Sequence, residues 1–273
     1  MFSLFHVKHS KDFKKAEKKA RIFSVVNQKG GVGKTTTAIN LATTFAAINK
    51  KVLLIDFDPQ GNASTGLGLS RKSRDKTIYD VIIGNCDIKD ALFETEIPNL
   101  SLIPSTVDLS ACEVELADFE KREYILKSKL KDLEFEFDCI FIDCPPSLGL
   151  LTVNALTSID SVLIPMQCEF FALEGLSHLI NSLELVKENL NSDLKISGII
   201  LTMYDKRNKL TEQVENDVRD FLKDMVYKTI IPRNIKLSEA PSYGMPAIIY
   251  DSNCAGSLSY IELAKELIEK EKI

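Results

Sequence analysis

Short apolar runs of strand length recur along the chain at 22–26, 51–55, 100–104, 139–142, 161–165, 196–202 and 226–231. Stretches with helical spacing lie between them, at 35–49, 109–130, 172–190, 210–223 and 257–270. A run such as Val52-Leu53-Leu54-Ile55 shows no polar alternation, so both faces of its strand must be covered, as in parallel strands sandwiched by helices. The intervening stretches have the length that parallel crossovers require. The pattern predicts a doubly wound α/β fold with a mostly parallel sheet. In such a sheet ligands bind beyond the carboxyl ends of the strands, which is where chemistry is to be sought.

The first informative strand end runs from 22–26 into Asn27-Gln28-Lys29-Gly30-Gly31-Val32-Gly33-Lys34-Thr35-Thr36 and then a helix. Glycines let backbone N–H groups turn inward on phosphates, and a helix N-terminus adds a favourable dipole. Residues 29–36 (Lys29, Gly30, Gly31, Val32, Gly33, Lys34, Thr35 and Thr36) form the nucleotide cradle. Lys34 meets the β/γ-phosphates of ATP, and the Thr35 hydroxyl is placed to ligate Mg²⁺. A dinucleotide motif starting at Gly31 would need glycine at 36 and finds Thr36. The loop departs from the ordinary P-loop in having Gln28 where the first glycine falls and a second lysine, Lys29, inside the turn. It is a deviant Walker A motif. Two lysines so close repel unless dense negative charge lies between them, which a bound triphosphate supplies. Lys29 is thus expected to reach a γ-phosphate across an interface, as arginine fingers do.

At the second end, Asp56 and Asp58 leave the sheet in Leu54-Ile55-Asp56-Phe57-Asp58-Pro59-Gln60-Gly61-Asn62. Alternation at a strand end is expected to send them in different directions, one to the metal shell and one to the attacking water. At the third, Phe141-Ile142-Asp143 places an aspartate to hold a Mg²⁺-bound water. The loop-rich segments 57–76 and 232–256 read as switch or interface loops.

Composition adds limits. With 273 residues and 45% hydrophobic content the chain can bury one large core, so residues 21–273 are expected to form a single ATPase domain. No uninterrupted apolar stretch reaches membrane-spanning length and the N-terminus lacks a secretory h-region, so a cytoplasmic location is expected. Residues 1–20 carry six lysines against Asp12 and Glu17, while the whole chain has net charge −5. This segment reads as a flexible basic arm, with nucleic-acid or membrane-surface attraction as the sharper alternative. Because the body is acidic, any nucleic-acid contact needs a local basic patch. The six cysteines, Cys86, Cys112, Cys139, Cys144, Cys168 and Cys254, include no C-x-x-C pair and read as reduced structural thiols.

The motifs KGGVGKTT at 29–36, VLLIDFDPQGN at 52–62, FIDCPPSLGLLTVNAL at 141–156, QCEFFALEGL at 167–176 and IIPRNIKLSEAPSYG at 230–244 closely resemble a ParA-type partition ATPase of the Soj subgroup. The resemblance runs from about Arg21 to the C-terminus. It implies an ATP-dependent switch for chromosome or plasmid partitioning. The ATP-bound homodimer would bind double-stranded DNA without sequence preference, on the nucleoid, and a ParB-type partner would stimulate hydrolysis. By matching motif, Lys29 and Asp58 are the catalytic pair, Gly30 lies at the dimer contact, and Thr35, Asp56 and Asp143 surround the metal. Arg207 and Arg233 match DNA-contacting positions, with Lys206, Lys209 and Lys236 as neighbours widening a basic face. A MinD-like membrane-cycling ATPase is the rival reading. That type ends in a basic amphipathic helix, whereas acids balance the lysines of the tail at 260–272 here. An iron–sulfur carrier would need converging cysteines, and Cys139 and Cys144 straddle one strand.

Overall fold

The computed structural model describes residues 18–273. Among these, strands β1 (Arg21–Val25), β2 (Val52–Asp56), β3 (Phe93–Glu94), β4 (Leu100–Ile103), β5 (Cys139–Asp143), β6 (Ser161–Gln167) and β7 (Lys195–Thr202) form one sheet in the order β3-β4-β2-β5-β1-β6-β7. All pairs are parallel except β3 with β4. The helices are α1 (Lys34–Ala47), α2 (Asn62–Gly66), α3 (Ile78–Ile83), α4 (Cys112–Glu115), α5 (Ile125–Leu130), α6 (Leu150–Ser158), α7 (Ala172–Asn189), α8 (Lys209–Leu222), α9 (Ile235–Glu239), α10 (Ala247–Tyr250) and α11 (Ala255–Glu271). The basic arm expected over 1–20 lies outside the described residues apart from Lys18, Lys19 and Ala20. Ala20 is already part of the core.

The sheet divides the interior in two. Leu53 and Ile55 of β2, with Ile140 and Ile142 of β5, belong to one apolar cluster, while Val52, Leu54, Cys139 and Phe141 belong to the other. Period-two alternation thus supplies both layers from the same unbroken runs. Helices α1 and α11 close the second layer, where Phe141 stacks on Phe23 at 5.4 Å and meets the edge of Phe45 at 5.3 Å. Truncating such a side chain to alanine costs on the order of 3–5 kcal/mol. Helix α1 is buried on almost every side, and its Thr37 hydroxyl pairs with the Tyr260 hydroxyl of α11 at 3.0 Å. The P-loop therefore opens into a helix fixed at the centre of the molecule.

Two expected elements differ. The run at 226–231 is not a continuous strand: Val226 bridges Ile199, the chain bulges away over 228–230, and the Ile231 amide returns to the Leu201 carbonyl at 2.8 Å. The amides of Lys228 and Thr229 donate instead to the Glu266 carboxylate of α11, at 2.7 and 3.0 Å. Tyr227 turns into the core against Gly198, where a Cβ would stand 2.6 Å from the ring. The helix expected over 109–130 is broken into α4 and α5. Lys121 takes a left-handed conformation, the Arg122 guanidinium donates to the Ala117 carbonyl, and Asn154 of α6 donates to the Arg122 carbonyl. These side-chain bonds, one local and one from α6, take the place of the helical ladder.

Candidate functional site

Strand β1 ends at the centre of the sheet, between β5 and β6, and the loop at 26–33 carries the chain up to α1. Gly31 and Gly33 have φ of 74° and 88°, a region that side chains other than glycine enter at a cost. No side chain caps α1, and its first internal bond runs from the Thr37 amide to the Gly33 carbonyl. The amides of the first turn are therefore available to an anion, in front of a 14-residue helix. The Lys34 ammonium is buried and donates to the Lys29 carbonyl at 3.1 Å. Burial lowers its pKa, opposed by the charges of Asp143 and Asp58.

Asp56 and Asp143 are register partners at the carboxyl ends of β2 and β5 and share the parity of residues that face α1. Both are fully buried. Asp56 accepts from the Ser64 hydroxyl at 2.6 Å and the Ser64 amide at 2.7 Å. Burial nevertheless pushes its pKa up to about 6. Neither oxygen of Asp143 has a hydrogen-bond partner among the described residues. Burial and the neighbouring Asp56 raise its pKa well above the usual range, against a smaller opposing influence of the Thr35 hydroxyl beside it. An orphaned buried carboxylate next to a hydroxyl and an anion cradle fits Mg²⁺, which binds through one or two carboxylates together with substrate phosphates. Among the described residues no cluster of three or more His, Cys, Asp or Glu offers an all-protein metal cage.

Asp58 is also buried and accepts from the Gln60 amide at 2.9 Å. Positions 56 and 58 have the same parity, so the pleat would set them on one side. Separate partners, Ser64 and Gln60, hold the two carboxylates apart, which corrects the expectation that strand alternation does so. Both remain near Asp143, and Asp58 is near Lys34 as well.

Lys29 stands outside this group. Its ammonium pairs with Glu169, just beyond β6, with about half of each side chain exposed. An exposed pair of this kind is worth roughly 0–1 kcal/mol, so it releases readily. Gly30 has open space where a Cβ would lie and an unremarkable φ, so nothing within one chain requires glycine there.

Reading strand ends for charge passes over a cleft of about 270 Å³ beside the P-loop, lined by Gly33, Thr36, Thr202, Met203, Pro232 and Asn234, among others. The end of β7 carries no acidic or basic residue, but it follows the same rule as the other strand ends. The Thr202 hydroxyl donates toward the Val32 carbonyl at 2.8 Å and ties β7 to the loop.

The proposed DNA-contacting cations are partly gathered. A bridge between Tyr204 and Pro232 brings the 203–207 turn beside the segment that begins at Arg233. Arg207, highly exposed, forks onto Asp205, and Arg233 also helps hold the Asp205 carboxyl low. Lys236 pairs with Glu239 and lies 5.3 Å over the Tyr250 ring. Lys206 and Lys209 are exposed. All six cysteines are free, and burial pushes the Cys139 and Cys144 thiols up to about 12, as for structural thiols. Among the described residues no helix is long and apolar enough to cross a membrane.

The AAA_31 family model, described as an AAA domain, matches residues 20–196. The chromosome partitioning protein ParA of Caulobacter vibrioides is 52% identical over 254 residues, covering 92% of this chain and 95% of the relative. The chromosome-partitioning ATPase Soj of Treponema pallidum is 51% identical over 246 residues, covering 90% and 96%. Among solved structures, cobyrinic acid a,c-diamide synthase from Mycobacterium smegmatis with bound ADP and magnesium superposes with a TM-score of 0.82 at 34% identity, covering 93% of this chain and 96% of that one. One fold thus carries different named activities, and the site must decide between them.

Proposed function

This chain belongs to the ParA/Soj family of chromosome-partitioning ATPases, and from that premise we propose that it is an ATP-driven switch for DNA segregation. With ATP and Mg²⁺ two copies pair across their P-loop faces, the pair binds double-stranded DNA of any sequence on the nucleoid, and a ParB-type partner stimulates hydrolysis and release. Bound ATP and Mg²⁺ supply the electrophilic phosphorus and neutralise the charge that develops on the leaving phosphate. Residues 29–36 and Lys34 hold the phosphates. Thr35, Asp56 and Asp143 hold the metal's shell, and Asp58 orients the attacking water and accepts its proton. The cleft by Thr202 and Met203 takes the base.

The observation that carries this reading is the division of labour between the two lysines. Lys34 is buried at the phosphate cradle, while Lys29 reaches out of the same turn to a half-exposed pair with Glu169, beside a glycine that its own chain does not need. A cation so placed serves a nucleotide held by another subunit. The C-terminal helix disfavours the membrane-cycling alternative, because Tyr260, Leu263, Ala264 and Leu267 of α11 are committed to the core. Phosphate-release assays with ATP, DNA and the cognate partner test the proposal. Full stimulated turnover by both Lys29→Ala and Asp58→Ala would defeat it.

A further inference from the structure

Arg74 lies in the loop between α2 and α3, close in sequence to Arg71 and Lys72. Those two neighbours are exposed, but Arg74 is only 7% exposed. Its Nη1 donates to the Ser105 carbonyl beyond β4 at 2.7 Å. Its Nη2 donates to the Thr65 hydroxyl at 2.8 Å and the Leu69 carbonyl at 2.9 Å. A buried guanidinium is costly unless bonded in this way, and its planar fork suits three acceptors around one point.

What those acceptors hold is the loop that carries the candidate catalytic carboxylate. Gly61 lies directly against the guanidinium, with φ of 64° and a Cβ site 2.2 Å from Nη1, so any side chain there would collide with it. The Gly61 amide donates to the Asp58 carbonyl at 2.9 Å and closes the turn on which Asp58 sits. The same network continues to the metal side. The Ser105 amide donates to the Ser64 hydroxyl at 3.2 Å, and Ser64 holds Asp56 through its hydroxyl and amide.

We propose that Arg74 is a positioning residue for hydrolysis: from behind the loop it fixes the 58–61 turn and Ser64, and so sets the placement of Asp58. The inference rests on Asp58 being the water-orienting group. Arg74 is absent from the linings of the two clefts beside the P-loop and α1, so its loss acts on turnover and not on nucleotide capture.

The test compares the wild-type chain with Arg74→Met, which keeps the length and loses the fork, using steady-state Mg-ATP hydrolysis with double-stranded DNA. The expected result is a fall in kcat of about tenfold to a hundredfold, the scale of an ångström-sized misplacement, with KM for ATP within about twofold. Hydrogen exchange should speed up at the Gly61 amide and stay unchanged in α1. In an Asp58→Ala background Arg74→Met should cost no further rate, because both act on one step. Unchanged kcat, a rise in KM alone, or an additive loss in that background would overturn the proposal. If Asp58→Ala itself hydrolyses at full rate, the reading of Asp58 fails, and exchange at Gly61 still decides whether Arg74 holds the turn. Should Arg74→Met not fold, Arg74→Lys keeps the charge without the fork; full turnover in that variant would also overturn the proposal.

Discussion

Asp56 and Asp143 face one another in the β2–β5 register, fully buried, with neither oxygen of Asp143 hydrogen-bonded among the described residues. Two buried acids side by side destabilise the ligand-free chain when both are ionised. The Asp56 pKa rises from 3.8 to about 6, so between these values the folded chain binds more protons than the unfolded one. Stability without ligand should therefore fall as pH climbs from about 4 to about 6 and stay low above. Asp56 alone accounts for roughly 3 kcal/mol of that fall. Urea unfolding across this range measures it. The gain in melting temperature on adding Mg²⁺ and nucleotide should be larger at pH 8 than at pH 5.

Asp143→Asn removes one of the two charges at nearly constant volume. Without Mg²⁺ at pH 8 it should raise the unfolding free energy by about 1–3 kcal/mol, as relief of an uncompensated buried charge does. Its Mg²⁺-dependent hydrolysis should fall by roughly a hundredfold or more. Denaturant titration and phosphate release on the same preparation check both halves.

Lys34 and Lys29 should separate cleanly. Lys34→Ala removes charge-assisted bonds worth on the order of 1.5–3 kcal/mol, so a fluorescent ATP analogue should bind roughly 10- to 150-fold more weakly. Lys29→Ala should leave that binding within about twofold in a single chain, since its ammonium sits on Glu169 outside the cradle. It should nevertheless abolish hydrolysis stimulated by DNA and partner.

Arg207→Glu with Arg233→Glu should remove DNA retention while ATP-dependent pairing persists. Phosphate contacts are counted by salt: each one lost flattens the slope of log affinity against log salt by about 0.9. Single alanine variants at these two positions should each lower the slope by about that amount and weaken all sequences alike. DNA binding at low salt by the double variant would place the patch elsewhere.

The aliphatic strands were legible because burial on both faces leaves no other arrangement for runs like Val52 to Ile55, and α7, α8 and α11 lie within one or two residues of their expected ends. The meeting of Asp56 and Asp143 was legible through strand ends, and the parity of Cys139, Phe141 and Asp143 puts the last of these on the α1 face. What escaped depended on distant partners. Glu266 takes the amides that would have made 226–231 a strand, and Asn154 helps pull 109–130 out of helix. Glu169 meets Lys29 from 140 residues away. Arg74 is indistinguishable in sequence from Arg71 until the fold buries it. The cleft proposed to take the base was missed because Thr202 and Met203 carry no charge to mark them.

The most direct test of the two-lysine switch is molar mass by light scattering in Mg²⁺ with a non-hydrolysable ATP analogue. The wild-type chain should shift from one chain to two when the analogue is added, and Lys29→Ala should bind the analogue yet show the shift weakened or absent. A wild-type chain saturated with analogue that stays a single chain, or a Lys29→Ala variant that pairs as tightly as wild type, would contradict a lysine reaching the partner's nucleotide.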